Sequence, residues 1–500
     1  YRIPLTDNPD TLDPAHFTGV TAEGVARRMF NGLVKLNRQL EPSPDLAESW
    51  TVSPDALTYT FHLRRGVRFH NGRELTADDV RYSFERLLRK QTASHRAWVV
   101  SAIRGAQAMR DGEADSLEGF SAPDDYTVLL TLEEPFAPFL CHLAMGNASI
   151  VPIEEVEKDG EPFGRRPVGT GPFRFVRWEE NSVIELTRNE EYFEGPAQLD
   201  GLRFRVITEP LVAYQEYLAG NLEHCSVPEG YLDQVKSGSH AEELRHTATL
   251  STYYVGIMMT HEPCGSNQHL RRAMNYAVDR RHLCEKVLGD SHIPARGVIP
   301  PGLPAHDPGI EGYAYDPDRA REELDKAGFS SERPVPELTF YFRSKSPTPL
   351  IAQAIQSDLA AVGIPVELRM LDFAALREAT NEQEPDVFYL SWAADFPDSI
   401  NFLECFDSRK WGGAGNRVCF ADAEVDAMLD QARSASDYAQ RIQLYRAIER
   451  RIVEQAPWIF LSHKQTQLLV KPYVLGFELT AMDVGTSVNL VDFHKVSFAD

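Results

Sequence analysis

Two sequence patterns and the chain length predict an α/β protein. Between residues 337 and 391, strand-like and helix-like segments alternate as βαβαβ, the half-unit of an open parallel sheet. The first half carries short alternating strands with few long helices, an α+β pattern. At 500 residues the chain is about three times a typical single-domain length, so several packed units are expected.

Each element has its own signal. Tyr59, Phe61 and Leu63 alternate with polar neighbours, as in a half-buried strand. Asn71-Gly72 marks a tight turn, and Thr76 followed by Asp79 makes a capping box for a helix over 77–89. Val128, Leu130 and Leu132 give another strand, while Phe173 and Phe175 with Val183 and Glu185 read as a hairpin. Leu270, Ala273, Met274, Ala277, Val278 and Leu288 keep helical spacing over 269–288, with Cys284 on the apolar stripe. Asp316 is an N-cap, with Pro317 at the first helical position and Gly328 past the end. Strands 337–342, 365–371 and 386–391 then alternate with helices 349–362 and 373–382. Helices over 422–434 and 437–455 and a strand at 465–470 complete the reading.

Composition narrows the function. Apolar residues reach 43% and charged residues 25%, enough for a real core. Formal net charge is 51 − 74 = −23, which argues against a nucleic-acid partner and against a polybasic membrane face, and favours a monomer. The longest uncharged stretch, 135–153, contains Pro135, Pro138, Pro152, Asn147 and Ser149. It reads as buried loop and strand rather than a membrane span. Residue 1 is Tyr and no signal peptide is visible, which fits a processed form or a trimmed piece equally.

None of the six cysteines (141, 225, 264, 284, 405, 419) forms a CxxC. Cys405 and Cys419 flank the loop RKWGGAGNR, and a bridge there would close about 15 residues for about 3 kcal/mol. Two buried thiols are the other reading. GxSxG, HExxH, Walker A and EF-hand patterns are absent, and the GTG at 169–171 runs into a strand, which excludes a dinucleotide turn. His70, His261, His292, His306, His463 and His494 lack ligand spacing, so neither metal nor cofactor is indicated. Glu154/Glu155 and Asp78/Asp79 are adjacent pairs whose side chains diverge.

Open α/β sheets bind ligands outside the carboxyl ends of their strands. Here Arg343 opens the loop after the first strand, and Trp392, Asp395 and Asp398 lie in the loop after the third. If those strands are neighbours their ends lie about 5 Å apart, or about 10 Å with one strand between. A zwitterion of dipeptide length would bridge them. The alternatives are turn-capping aspartates with a solvated arginine, or a paired-carboxylate glycosidase built on Asp395 and Asp398.

Five segments together resemble a known family: PDTLDP (9–14), the long run from LAESW to FERLL (46–88), PVGTGPFRF (167–175), LRRAMNYAVDRRHL (270–283) and WAADFPDSINFL (392–403). They are similar to the family 5 extracellular solute-binding proteins of ABC importers, the dipeptide, oligopeptide and nickel receptors. The resemblance implies a bilobal fold of the periplasmic-binding-protein type II kind, with an extra α+β subdomain in lobe one. Lobe I would be 1–250 plus 476–500, with 41–168 as the subdomain, and lobe II 251–475. Hinges near Leu250–Thr252 and Tyr473–Gly476 would let the lobes close on ligand without chemistry, so the protein would be no enzyme.

The resemblance also implies roles. Trp392-Ala393-Ala394-Asp395 matches the segment whose aspartate pairs with a peptide α-ammonium, with Trp392 as a wall. Arg343 falls within one residue of the arginine that pairs with the ligand carboxylate. Tyr253 or Tyr254 would add a rim hydrogen bond, and Phe17, Thr18 and Gly19 would face the ligand from lobe I. Cys405 and Cys419 match a bridged pair, while Cys225 lacks an N-terminal partner unless it pairs with Cys141 or Cys264. Thr260 and Cys264 depart from the pattern and put that side of the pocket in doubt. The nickel receptors lack the aspartate, which favours a peptide over a metal chelate, opine or sugar. An inner-membrane ABC permease would be the partner, the location periplasmic or lipid-anchored, and a chemotaxis-linked sensor the lesser alternative. The acidity also suggests a cationic ligand, although charge is screened within about 8 Å at physiological salt.

Overall fold

A computed structural model describes residues 1–158, 160, 162–435 and 437–499. The chain forms two compact units, Tyr1–Thr247 with Thr466–Asp500, and Ala248–Gln465.

The first unit opens with β1 (Arg2–Leu5), then β2 (Ala47–Val52) and β3 (Thr58–Leu63). Helix α1 (Ala77–Leu88), β4 (Phe120–Asp124), β5 (Thr127–Thr131), β6 (Phe173–Glu179), β7 (Val183–Arg188) and β8 (Gly201–Val206) follow. They make two four-stranded sheets, β1-β8-β7-β6 and β2-β3-β5-β4. The second sheet and α1 lie wholly within the 41–168 stretch. The Thr76–Asp79 capping box opens α1 as the spacing predicts, and Asp79 also takes two hydrogen bonds from Arg73, at 3.0 and 2.5 Å.

Ile3, Leu5, Phe173, Ile184 and Phe204 form one core with Leu468, Val470, Val488, Val491, Phe493 and Val496 from the far end of the chain. Buried Arg28 ties the same ends together, donating to the carbonyls of Val488 and Val491 at 2.6 Å each. The 135–153 stretch is buried but contains no strand. It forms a helical turn, Phe139–Leu143, and a tighter one, Gly146–Ala148. Pro138 caps the first turn, and Asn147 reaches the carbonyls of Pro14 and Phe17, so the segment bonds to loops rather than to a sheet.

The second unit holds β9 (Ser251–Ile257), α2 (Gln268–Ala277), β10 (His292–Pro294) and α3 (Pro317–Lys326). After them come β11 (Leu338–Arg343), α4 (Thr348–Ala361), β12 (Val366–Leu371), α5 (Phe373–Asn381) and β13 (Val387–Ala393). Helices α6 (Ala423–Ser434) and α7 (Tyr438–Gln455) and strand β14 (Trp458–Val470) finish it. Within this unit the strand order is β14-β9-β13-β11-β12, with β10 also on β14.

The structure corrects three expectations here. The helix expected over 269–288 stops at Ala277, because Val278 turns extended and Asp279 restarts a short turn by accepting from the N–H of His282. The strand expected at 465–470 is the end of one beginning at Trp458, whose first six residues are all buried and so show no alternation. The unit boundary falls at Gln465 rather than 475: β14 pairs with β9 and β10 through Lys464, and with the short strand His224–Ser226 from Leu468 onward. Among the described residues no helix is long and apolar enough to cross a membrane.

Candidate functional site

The parallel order β12-β11-β13 makes the first and third strands of the βαβαβ unit direct neighbours, about 5 Å apart. Their register, Phe340 with Val387 and Tyr341 with Phe388, continues to set Arg343 level with Leu390. Trp392 stands two residues beyond, about 7 Å along the strand, and Asp395 follows in the loop. Strand β9 runs the opposite way, Ser251 facing Ala393 and Tyr253 facing Ser391, so its first residues reach this edge.

Arg343 is half-buried, and its Nε donates to Thr348 Oγ1 at a long 3.4 Å. Trp392 is also half-buried, and its indole N–H donates to Asn401 Oδ1 at 3.0 Å, which fixes the ring plane. Asn401 sits in the turn Ile400–Leu403, and Asp398 accepts from the N–H of Ile400 at 3.0 Å. Asp398 is buried and lies 3.5 Å from Arg441. Asp395 is exposed. The two aspartates therefore do different work: Asp398 organises the turn that holds Trp392, and Asp395 faces outward.

Tyr253 and Tyr254 point to opposite faces of β9. Tyr253 is half-buried, edge-on to His292 (4.8 Å, 82°) and tilted against Tyr389 (6.3 Å). Burial raises its hydroxyl pKa, with the charge of Arg343 and a hydrogen bond with Ser391 opposing, which places all three groups together. Tyr254 is core: it is 1% exposed and stacks on Trp458 at 3.5 Å and 3°. Only Tyr253 of the two presents a surface at this edge.

The first-unit expectation divides similarly. Thr18 and Gly19 are exposed, but the Phe17 ring is 1% exposed and belongs to the unit's core. Thr260 and Cys264 follow the far end of β9, where Ile257 pairs with Val387 at the start of β13. They belong to the opposite edge of the sheet, and their departure from the family pattern does not touch this site.

The Cys405–Cys419 bridge is not formed; both are buried free thiols, as are Cys225 and Cys264. Asn416 closes the same loop instead. Its side chain donates to the carbonyls of Asp407 and Phe420 and accepts from the N–H of Phe420.

His292, Tyr389 and Lys464 were not anticipated here. Lys464 is the one available signal, a cation in mid-strand after the apolar run Trp458–Leu461, and it becomes visible only once β14 is extended back to Trp458.

A family model of bacterial extracellular solute-binding proteins, family 5 (middle), matches residues 41–414. A di/tripeptide-binding protein of Pseudomonas aeruginosa, number 2, is 32% identical over 500 residues, covering 95% of this chain and 91% of that one. Heme-binding protein A of Haemophilus influenzae is 30% identical, covering 95% and 88%. The unliganded open form of MppA, a periplasmic murein tripeptide binding protein, superposes with a TM-score of 0.88 at 26% identity, covering 99% and 96%. The fold is thus that of a bilobal periplasmic binding protein, and the chain belongs to the bacterial extracellular solute-binding proteins of family 5.

Proposed function

We propose that this protein is the extracytoplasmic receptor of an ABC importer, working in the periplasm and handing short peptides unchanged to an inner-membrane permease. In this reading the carboxyl edge of the second unit's sheet holds the peptide ends. Asp395 takes the α-ammonium and Arg343 the α-carboxylate, while Trp392 and Tyr253 flank the backbone. The observation that carries it is the direct pairing of β11 and β13, which brings a cation and a carboxylate to one edge on adjacent strand ends. Burying a zwitterion requires both partners, since an unpaired charged end costs several kcal/mol. The likeness to peptide-binding relatives supports the same ligand class. Contacts to main-chain ends alone leave the side chains free to vary.

Mass spectrometry of small molecules released by denaturing freshly purified protein tests the proposal. A mixture of short peptides is the expected result. One recurring non-peptide mass would overturn it.

A further inference from the structure

The sheet face that carries Tyr253 also carries a second cationic group. Across the ladder of β10 and β14, His292 lies opposite Lys464, and on the other side of β14 Ser462 lies opposite Tyr253. Antiparallel partners point to one face, as do residues two apart, so Tyr253, Ser462, Lys464 and His292 share it. The ring contact between Tyr253 and His292 at 4.8 Å closes the group.

Lys464 is half-buried, and its ammonium is pushed below the ordinary lysine range by burial, then by Lys345 and Arg343. The charges of Lys345 and Arg343 therefore reach Lys464, in a chain whose net charge is −23. None of the three makes an ion pair among the described residues, and the one side-chain bond is the long one from Arg343 to Thr348. A half-buried cation without a counter-ion forfeits hydration and recovers nothing.

His292 adds a directional requirement. Ser291 donates its only hydroxyl proton to the Leu288 carbonyl at 2.6 Å, so at 3.0 Å it accepts from the N–H of His292 Nδ1. Burial, with Lys464 and His463, brings the imidazole pKa down to about 3, so the ring is neutral. Nε2 then holds a buried lone pair with no donor facing it.

We propose that Lys464, with Lys345 at the rim, is a second anion subsite beside Arg343, and that the preferred ligands are peptides bearing a carboxylate side chain at or next to the C-terminal residue. The α-carboxylate goes to Arg343, the side-chain carboxylate to Lys464, and a peptide N–H to His292 Nε2. This specificity rests on the peptide reading above, and it reverses the cationic ligand that overall acidity suggests.

Calorimetric titration of ligand-stripped protein with Ala-Gln and Ala-Glu separates the two levels. Ala-Glu is expected to bind about tenfold tighter at low salt, as one charge-assisted contact provides. Lys464→Met should bring the two affinities within about twofold of each other, and Lys464→Arg should restore the gap. Equal binding by the unmodified protein, or a gap that survives Lys464→Met, overturns the second subsite and leaves the peptide receptor standing. Binding of neither peptide sinks both.

Discussion

Tyr254 lies flat on Trp458, ring centroids 3.5 Å apart and planes 3° from parallel, and this stack seals one face of β9 while Tyr253 stays available on the other. Two adjacent tyrosines thus have separable duties. Tyr254→Ala should lower unfolding free energy by about 3–5 kcal/mol, as truncation of a large core aromatic does. Tyr253→Phe should leave the denaturation midpoint within experimental error while weakening peptide binding. Urea unfolding followed by calorimetry on both variants checks the division.

Asp395→Asn should reduce peptide affinity at least about tenfold, since a charge-assisted partner to a buried ammonium becomes a neutral one. Asp398→Asn should act first on stability, because that carboxylate lies beside Arg441 and caps the turn beneath Trp392. Undiminished affinity in the Asp395 variant would remove the ammonium anchor from the proposed site.

Glu449 makes the second unit less stable as pH rises from mildly acidic to neutral. Its Oε1 accepts from the N–H groups of Val298 and Ile299, yet burial outweighs them and brings its pKa up to about 7. The folded protein therefore keeps a proton that the unfolded chain releases near pH 4.5. Stability from this group is complete below that pH and declines as pH rises to about 7, by about 3 kcal/mol in all. Glu449→Gln should flatten the decline, read as a smaller difference in urea midpoint between pH 5 and pH 8.

In the first unit the sign is opposite. Burial works to raise the Asp13 pKa, but two hydrogen bonds from Arg86, at 2.7 and 2.5 Å, and one from His16 hold it well below the usual carboxylate range. This contribution is present above about pH 4 and fades only in acid. Arg86→Met strands a buried carboxylate and should cost about 3–5 kcal/mol at pH 7.

Cys405 and Cys419 should both take an alkylating label when the protein is denatured without reductant. Before denaturation both should react slowly, since they are buried and their thiol pKa values are raised by that burial. A peptide map showing the pair linked would contradict this.

The βαβαβ unit is legible in the sequence because strand-like and helix-like periods alternate through it; the structure adds a cap at Asp372, whose side chain accepts from Ala375 N–H. Asp395 and Arg343 are legible because they sit just past predictable strand ends. The break at Val278 is not, because apolar spacing carries on through it while only the backbone changes course. Lys464 and His292 stay hidden for another reason: they meet through strand pairing across some 170 residues, and neither carries a local signal of that pairing. The Cys405–Cys419 expectation rests on loop length and the family resemblance, and neither carries a sign of the hydrogen bonds by which Asn416 ties the same loop.

The split of the first unit between residues 1–247 and 466–500 sets an order of events during synthesis. When residue 247 leaves the ribosome, Ile3, Leu5 and Phe204 still lack Leu468, Val470, Val491 and Phe493, and Arg28 lacks its carbonyl acceptors. The second unit emerges complete in one continuous stretch and is free to collapse first. Residues 1–247 must wait for residues 466–500, so a stop codon anywhere between 248 and 466 would leave the first unit's core open although most of that unit had already been made.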